Sequence, residues 1–121
     1  MTSSSDVEHA FEILHRFGKT LKGIFHCAAV LDDGTIESQS EEQFRQVLSA
    51  KIDSAWLIHE KTQNIPLDFL MLYSSATSIL GAPGQANYVA ANAFFDALAH
   101  YRHAMNQATY SINWGAWAEV G

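Results

Sequence analysis

The sequence predicts an α/β fold built on a parallel sheet. Three observations carry that expectation. Short apolar runs of strand length alternate with longer stretches of helical periodicity, Gly, Pro and polar residues punctuate them, and the resulting order reads αβαβαβ. Apolar strands joined by helical crossovers lie parallel, in a doubly wound sheet with helices on both faces. Right-handed crossovers set the three strands side by side. Ligands in such sheets bind at the carboxyl ends of the strands. Here those ends are 28–33, 74–84 and 114–121.

Each element has a local reason. Ser5 and Glu8 form a capping-box pattern, and Val7, Ala10, Phe11, Leu14 and Phe17 follow at helical spacing until Gly18 stops the helix. Residues 23–29, Gly-Ile-Phe-His-Cys-Ala-Ala, read as a buried strand, and 31–38 as a polar loop. A second capping box, Ser40 with Gln43, opens a long helix to about Asn64. After Pro66, residues 67–73 read as a second buried strand, followed by a loop rich in Ser, Gly and Pro to Ala86. A third helix is expected from Asn87 to Met105, and a third strand over 109–114.

Composition narrows the function classes. A chain of 121 residues with 48% hydrophobic and 17% charged side chains holds one core, and wholesale disorder is excluded. A net charge of −6 disfavours nucleic acid and anionic membranes as partners. The single cysteine, Cys27, forms no internal disulfide and fits a reducing, cytoplasmic setting; it reads as a small buried hydrophobe. No signal-peptide pattern opens the chain, and no apolar run approaches the ~20 residues that span a bilayer. His100 and His103 share a helix face but lack a third ligand, so no metal site is expected.

Two side chains break the apolar patterning. Lys51 lies in the stripe Phe44, Val47, Leu48, Ala55 and Ile58, where a lysine either snorkels to water or points at a partner. Asn92 lies on the inner face of the third helix, one turn after Tyr88. A mid-helix asparagine competes for backbone hydrogen bonds and needs a partner, which a carbonyl or a water could supply. Ser74 and Ser75 end a strand at the ligand rim. Taken together, these types suit ketone reduction. A tyrosine gives a proton, a nearby ammonium favours its phenolate, a serine holds the carbonyl oxygen and an asparagine positions the resupply of protons.

The stretch 84–94, Gly-Gln-Ala-Asn-Tyr-Val-Ala-Ala-Asn-Ala-Phe, closely resembles the signature of ketoreductase domains of modular polyketide synthases, a branch of the short-chain dehydrogenase/reductase superfamily. Residues 23–26 leading to 30–34, and 113–117, Asn-Trp-Gly-Ala-Trp, resemble two further blocks of that family. The resemblance runs over about residues 6–121 and implies a Rossmann-like, three-layer α/β/α sheet. It implies Tyr88 as the active tyrosine and Ser75, thirteen positions earlier, as the active serine. Lysine and asparagine exchange places in this branch, which implies Lys51 and Asn92; these are the two residues that break the patterning. The implied chemistry is NADPH-dependent reduction of a β-ketoacyl thioester, held on an acyl carrier protein, to a β-hydroxyacyl thioester. Ala28, Ala29, Lys51, Tyr88, Trp114 and Gly115 would contact the cofactor.

Leu31-Asp32-Asp33 resembles the motif of B-type ketoreductases, and the A-type tryptophan would fall at Leu80. Asp33 and Gln85 are therefore the expected substrate and stereocontrol residues. Ala29 stands where the family has Gly. The family's Gly-rich phosphate loop has no counterpart, and neither have its lid helix and last strand. Residues 1–121 are thus expected to form a single partial ketoreductase domain that is inactive alone. Partners implied are other polyketide synthase domains or a complementary ketoreductase half, with self-association through an exposed sheet edge. A competing reading is a non-catalytic structural half-domain, which would have no need of the four residues; a flavodoxin-like module is disfavoured by the missing phosphate loop.

Overall fold

A computed structural model describes residues 4–118. The chain runs α1 (Ser4–Arg16), β1 (Gly23–His26), α2 (Glu41–Leu48), a π-helical turn (Ser49–Asp53), α3 (Ser54–Thr62), β2 (Phe69–Ser75), α4 (Thr77–Leu80), α5 (Ala86–Ala104) and β3 (Thr109–Trp114). The sheet is parallel in the order β1-β2-β3. Its register pairs Gly23 with Phe69, Leu70 with Thr109, and Ser75 with Trp114. This is the Rossmann-like α/β/α class expected from the sequence.

Local chemistry accounts for most boundaries. The Ser40 hydroxyl accepts from the Gln43 backbone while the Gln43 side chain accepts from the Ser40 backbone, so the capping box at the start of α2 is complete. Gly18, at φ 59°, takes the left-handed conformation just past α1. Gly23 starts β1 against the Phe69 ring, where a Cβ would collide with the aromatic carbons.

One core joins all three long helical segments to one face of the sheet. Val7, Ala55, Ile58, Leu70, Leu72, Phe95 and Leu98 form it, each almost fully buried. Of the three-layer plan, the described residues supply the sheet and this helical layer. The alternate side chains, Phe25 (60% exposed), Tyr110 (48%) and Trp114 (37%), lie on the other face. A buried tie closes the end remote from the ligand rim. Arg102 donates from Nε to Thr109 Oγ1 (2.8 Å) and from Nη1 to His59 Nδ1 (2.9 Å) and Thr62 Oγ1 (3.2 Å). That guanidinium sits at the C-terminal ends of α3 and α5, where helix dipoles favour a cation.

The structure departs from the sequence expectations at four places. β1 ends at His26, and Cys27 is exposed rather than buried. The second strand runs two residues further than expected, through Ser75. The loop after it contains the short helix α4. The long middle helix is interrupted by the π-turn. Strand pairing and the wider helical turn depend on neighbours distant in sequence, which periodicity does not see.

Candidate active site

The three strands end together, and a cleft of about 450 Å³ opens over their carboxyl ends. Lys51, Ser75 and Tyr88 all line it, with Cys27, Ala29, Thr77, Gln85, Trp114, Gly115 and Trp117. The topology makes this convergence: β2 delivers Ser75, the first turn of α5 delivers Tyr88, and the π-turn delivers Lys51.

Lys51 is 2% exposed. Of the two options open to a lysine in an apolar stripe, it takes the partner: Nζ donates to the Tyr73 carbonyl at 2.7 Å. It also stands 4.2 Å from the centre of the Phe95 ring and 5.8 Å from that of Tyr88. Burial lowers its pKa to about 8, against the opposing pull of Cys27 and Asp96. A π-turn carries one extra residue per turn and is frequent at functional sites.

Tyr88 is partly buried, and its backbone N–H donates to the Asn87 side chain at 2.7 Å. The other end of Asn87, Nδ2, donates to the Asp32 carbonyl at 2.9 Å. Asn87 is fully buried and fastens the start of α5 to the loop after β1. Asp32 is held twice more, by Gln43 on its carboxylate (2.7 Å) and Gln39 on its carbonyl (3.1 Å). Asp33 accepts from Gln85 Nε2 at 2.9 Å, and Gly34 N–H donates to the Gly84 carbonyl at 2.8 Å. Gly84 has φ 76°, a conformation open to glycine.

Ser75 Oγ accepts from the Thr77 hydroxyl (3.0 Å) and backbone N–H (3.2 Å). Asn92 is fully buried one turn behind Tyr88, outside the cleft lining, and donates to the Tyr88 carbonyl at 2.8 Å. Its Oδ1 has no hydrogen-bond partner among the described residues. Lys51, Ser75 and Tyr88 thus share a cleft without direct hydrogen bonds to one another, which is looser than convergence on the Tyr88 hydroxyl. Of the residues expected to contact the cofactor, Ala29, Trp114 and Gly115 line this cleft beside Lys51 and Tyr88. Ala28 does not; it lines an apolar cavity between α1 and β1 with Val7, Phe11 and Ile58. The His100–His103 pair is exposed, and no metal-ligating cluster exists among the described residues. No helix among them is long and apolar enough to cross a membrane.

Sequence reasoning missed the support beneath Ser75. Asp96 accepts from Ser78 Oγ (2.6 Å), Ser111 Oγ (2.5 Å) and Asn113 Nδ2 (2.9 Å). Burial pushes the Asp96 carboxyl up, but these donors outweigh it and hold the group below the usual carboxylate range. Asn113 also donates to the Ser75 carbonyl at 3.3 Å. An aspartate one helical turn after Asn92 is the signal that points to it.

Comparison with known proteins gives the family and the fold. The family model described as KR domain matches residues 1–119. Polyketide synthase GfsE of Streptomyces halstedii is 50% identical over 105 residues, 87% of this chain and 3% of that protein. Among solved structures, a ketoreductase domain from the bacillaene assembly line superposes with a TM-score of 0.91 at 36% identity, over 99% of this chain and 30% of that one. A structure of A-type ketoreductases from a modular polyketide synthase gives a TM-score of 0.89 at 35% identity, over 95% of this chain and 25% of that one.

Proposed function

This chain belongs to the KR domain family, and from that premise we propose that it carries the proton-handling side of a polyketide ketoreductase. The proposed reaction is NADPH-dependent reduction of a carrier-protein-bound β-ketoacyl thioester to the β-hydroxyacyl thioester. The observation that carries the reading is the single cleft shared by Lys51, Ser75 and Tyr88 at the carboxyl ends of the strands. In it Tyr88 gives its proton to the ketone oxygen, and Ser75 hydrogen-bonds that oxygen beside it. The Lys51 ammonium stabilises negative charge on the phenol as the proton leaves. Asn92, with its free Oδ1, is suited to hold a water behind Tyr88 for proton resupply.

The residues fit a nicotinamide group. A Cβ at Gly115 would meet nothing within 4 Å, leaving open space beside Lys51 and Tyr88, whose donors suit ribose hydroxyls. Ala29, Lys51, Tyr88, Trp114 and Gly115 would hold it, and the group supplies hydride when bound. Leu31-Asp32-Asp33 and Leu80 support B-type stereochemistry, with Asp33 and Gln85 at the substrate edge. The chain spans 30% of the bacillaene ketoreductase chain, and its own sequence holds no Gly-rich phosphate loop. We therefore take reduction to need further ketoreductase sequence, in cis or as a complementary half, within a cytoplasmic polyketide synthase.

The test is NADPH consumption with a β-ketoacyl thioester. Addition of the missing ketoreductase sequence should turn a nearly silent 121-residue chain into an active one. Robust turnover by the chain alone, or none after reconstitution, overturns the reading. Lost backbone donors to phosphate, at about 1.5–3 kcal/mol each, weaken binding by several decades.

A further inference from the structure

We propose that His26 is a positioning residue for Lys51, acting through Ser54 and the π-turn that carries the lysine. The proposal deepens the reductive reading of Lys51 and rests on it for its functional meaning. His26 itself lines the apolar cavity between α1 and β1, not the cleft that holds Tyr88.

His26 is 5% exposed at the end of β1 and points into the helical layer. Its Nε2 lies 2.6 Å from Ser54 Oγ, twenty-eight residues away in sequence. The Ser54 hydroxyl has one proton, and it stands 2.7 Å from the Ala50 carbonyl and 3.3 Å from the Lys51 carbonyl. A carbonyl can only accept, so the serine proton goes to Ala50. His26 Nε2 must then carry a hydrogen and donate it to Ser54. Its Nδ1 is left bare and has no partner among the described residues.

This hydrogen bond clamps the wide turn. Ser54 N–H bonds the Lys51 carbonyl while its hydroxyl bonds carbonyl 50, so the serine replaces part of the regular α-ladder. Serine back-bonding of this kind bends helices. An ordinary α-helix rotates ~100° per residue, so removing the extra residue of a π-turn would swing Lys51 off its present bearing. That bearing puts Nζ on the Tyr73 carbonyl and over Phe95. The His26 ring packs edge-on against the same Phe95, with centroids 4.9 Å apart. One aromatic ring therefore separates the clamp from the ammonium it directs. Cys27 and Asp96 act on the Lys51 ammonium, Tyr88 faces it with its ring centre 5.8 Å away, and Lys51 in turn acts on His26.

The test follows the Lys51 titration in the full chain, labelled with ¹³C at the lysine ε-carbons and assigned by the signal lost in Lys51→Arg. The parent midpoint is expected at about 8. Ser54→Ala and His26→Leu should raise it by about one unit or more toward free lysine at ~10.4, as the side chain swings to water. His26→Gln, which keeps a donor near Nε2, should restore the parent value. Far-UV circular dichroism selects the folded variants, and Ser54→Ala, which deletes one oxygen, decides the matter if His26→Leu does not fold. An unchanged midpoint in folded Ser54→Ala, or a Gln variant that behaves like Leu, overturns the proposal. Turnover of a reconstituted domain bearing Lys51→Met reports separately: indifference to Lys51 would remove the catalytic reading and leave the positioning result standing.

Discussion

The Lys51 ammonium stands 5.8 Å from the centre of the Tyr88 ring, although the two residues come from different helices and neither hydrogen-bonds the other. A cation at that distance, walled from water, favours the anionic over the neutral form of a phenol. In a reconstituted ketoreductase, Tyr88→Phe should lower the reduction rate by about 10²–10⁴, the range of a lost general acid. Cofactor affinity should hold nearly constant. Equilibrium binding beside single-turnover kinetics checks the split, and a variant that reduces ketone at the parent rate would sink the assignment.

Lys51→Met should separate stability from activity. The folded-state pKa of about 8 lies below that of a free lysine, so at neutral pH the folded chain holds an ammonium it would prefer to neutralise. Methionine removes that burial cost and leaves the Tyr73 carbonyl short of one donor. The net gain should be about 1–3 kcal/mol at pH 7, measured by urea denaturation, while reduction is lost.

Acid should destabilise the chain over a defined window. Burial, then Lys51, lowers His26 to about 4 in the folded state, from the 6.5 of an unperturbed histidine. The unfolded chain therefore binds the proton first, and the folded chain loses stability as pH falls from about 6.5 to about 4. His59 works in the same direction, lowered by burial and Arg102. In His26→Gln the pH dependence of the urea midpoint should flatten over this window; an unaltered slope would assign the acid lability elsewhere.

The Asp33–Gln85 hydrogen bond crosses from the loop after β1 to the threshold of α5. It is exposed, so Asp33→Ala should change stability by no more than about 0.5 kcal/mol. If the pair borders the substrate, Asp33→Ala and Gln85→Leu should change the ratio of the two alcohol configurations instead. Chiral chromatography of the product decides, and an unchanged ratio in both variants removes them from stereocontrol.

Phe25 and Tyr110 stand on the sheet face that lies opposite the core, and both are well exposed. The chain should self-associate through this face and its β1 edge at micromolar concentration. Phe25→Glu should shift light-scattering mass toward the monomer. A parent chain that is monomeric at high concentration would contradict this.

What could be read in the sequence was what depends on neighbours along the chain. The Ser40–Gln43 capping box was legible because both partners lie within one turn. Lys51 and Asn92 were legible as misfits because periodicity assigns every position a face. The π-turn was not, since the side chain that contacts its end, His26, lies on β1, twenty-eight residues away from Ser54. Cys27 was misjudged because a strand that ends at His26 leaves the next residue at the rim. Asn87 and the Asp96 network stayed hidden because their partners come from separate elements.

The strand order has a consequence for how the chain is made. Each strand pairs with the next one in sequence, and the helix between them packs as it closes. A ribosome delivering this chain thus releases β1 before β2 and β2 before β3, so each pairing within this sheet joins strands adjacent in sequence. Cleft residues arrive in the order Lys51, Ser75, Tyr88. Both partners of the His26–Ser54 contact are made before Tyr88.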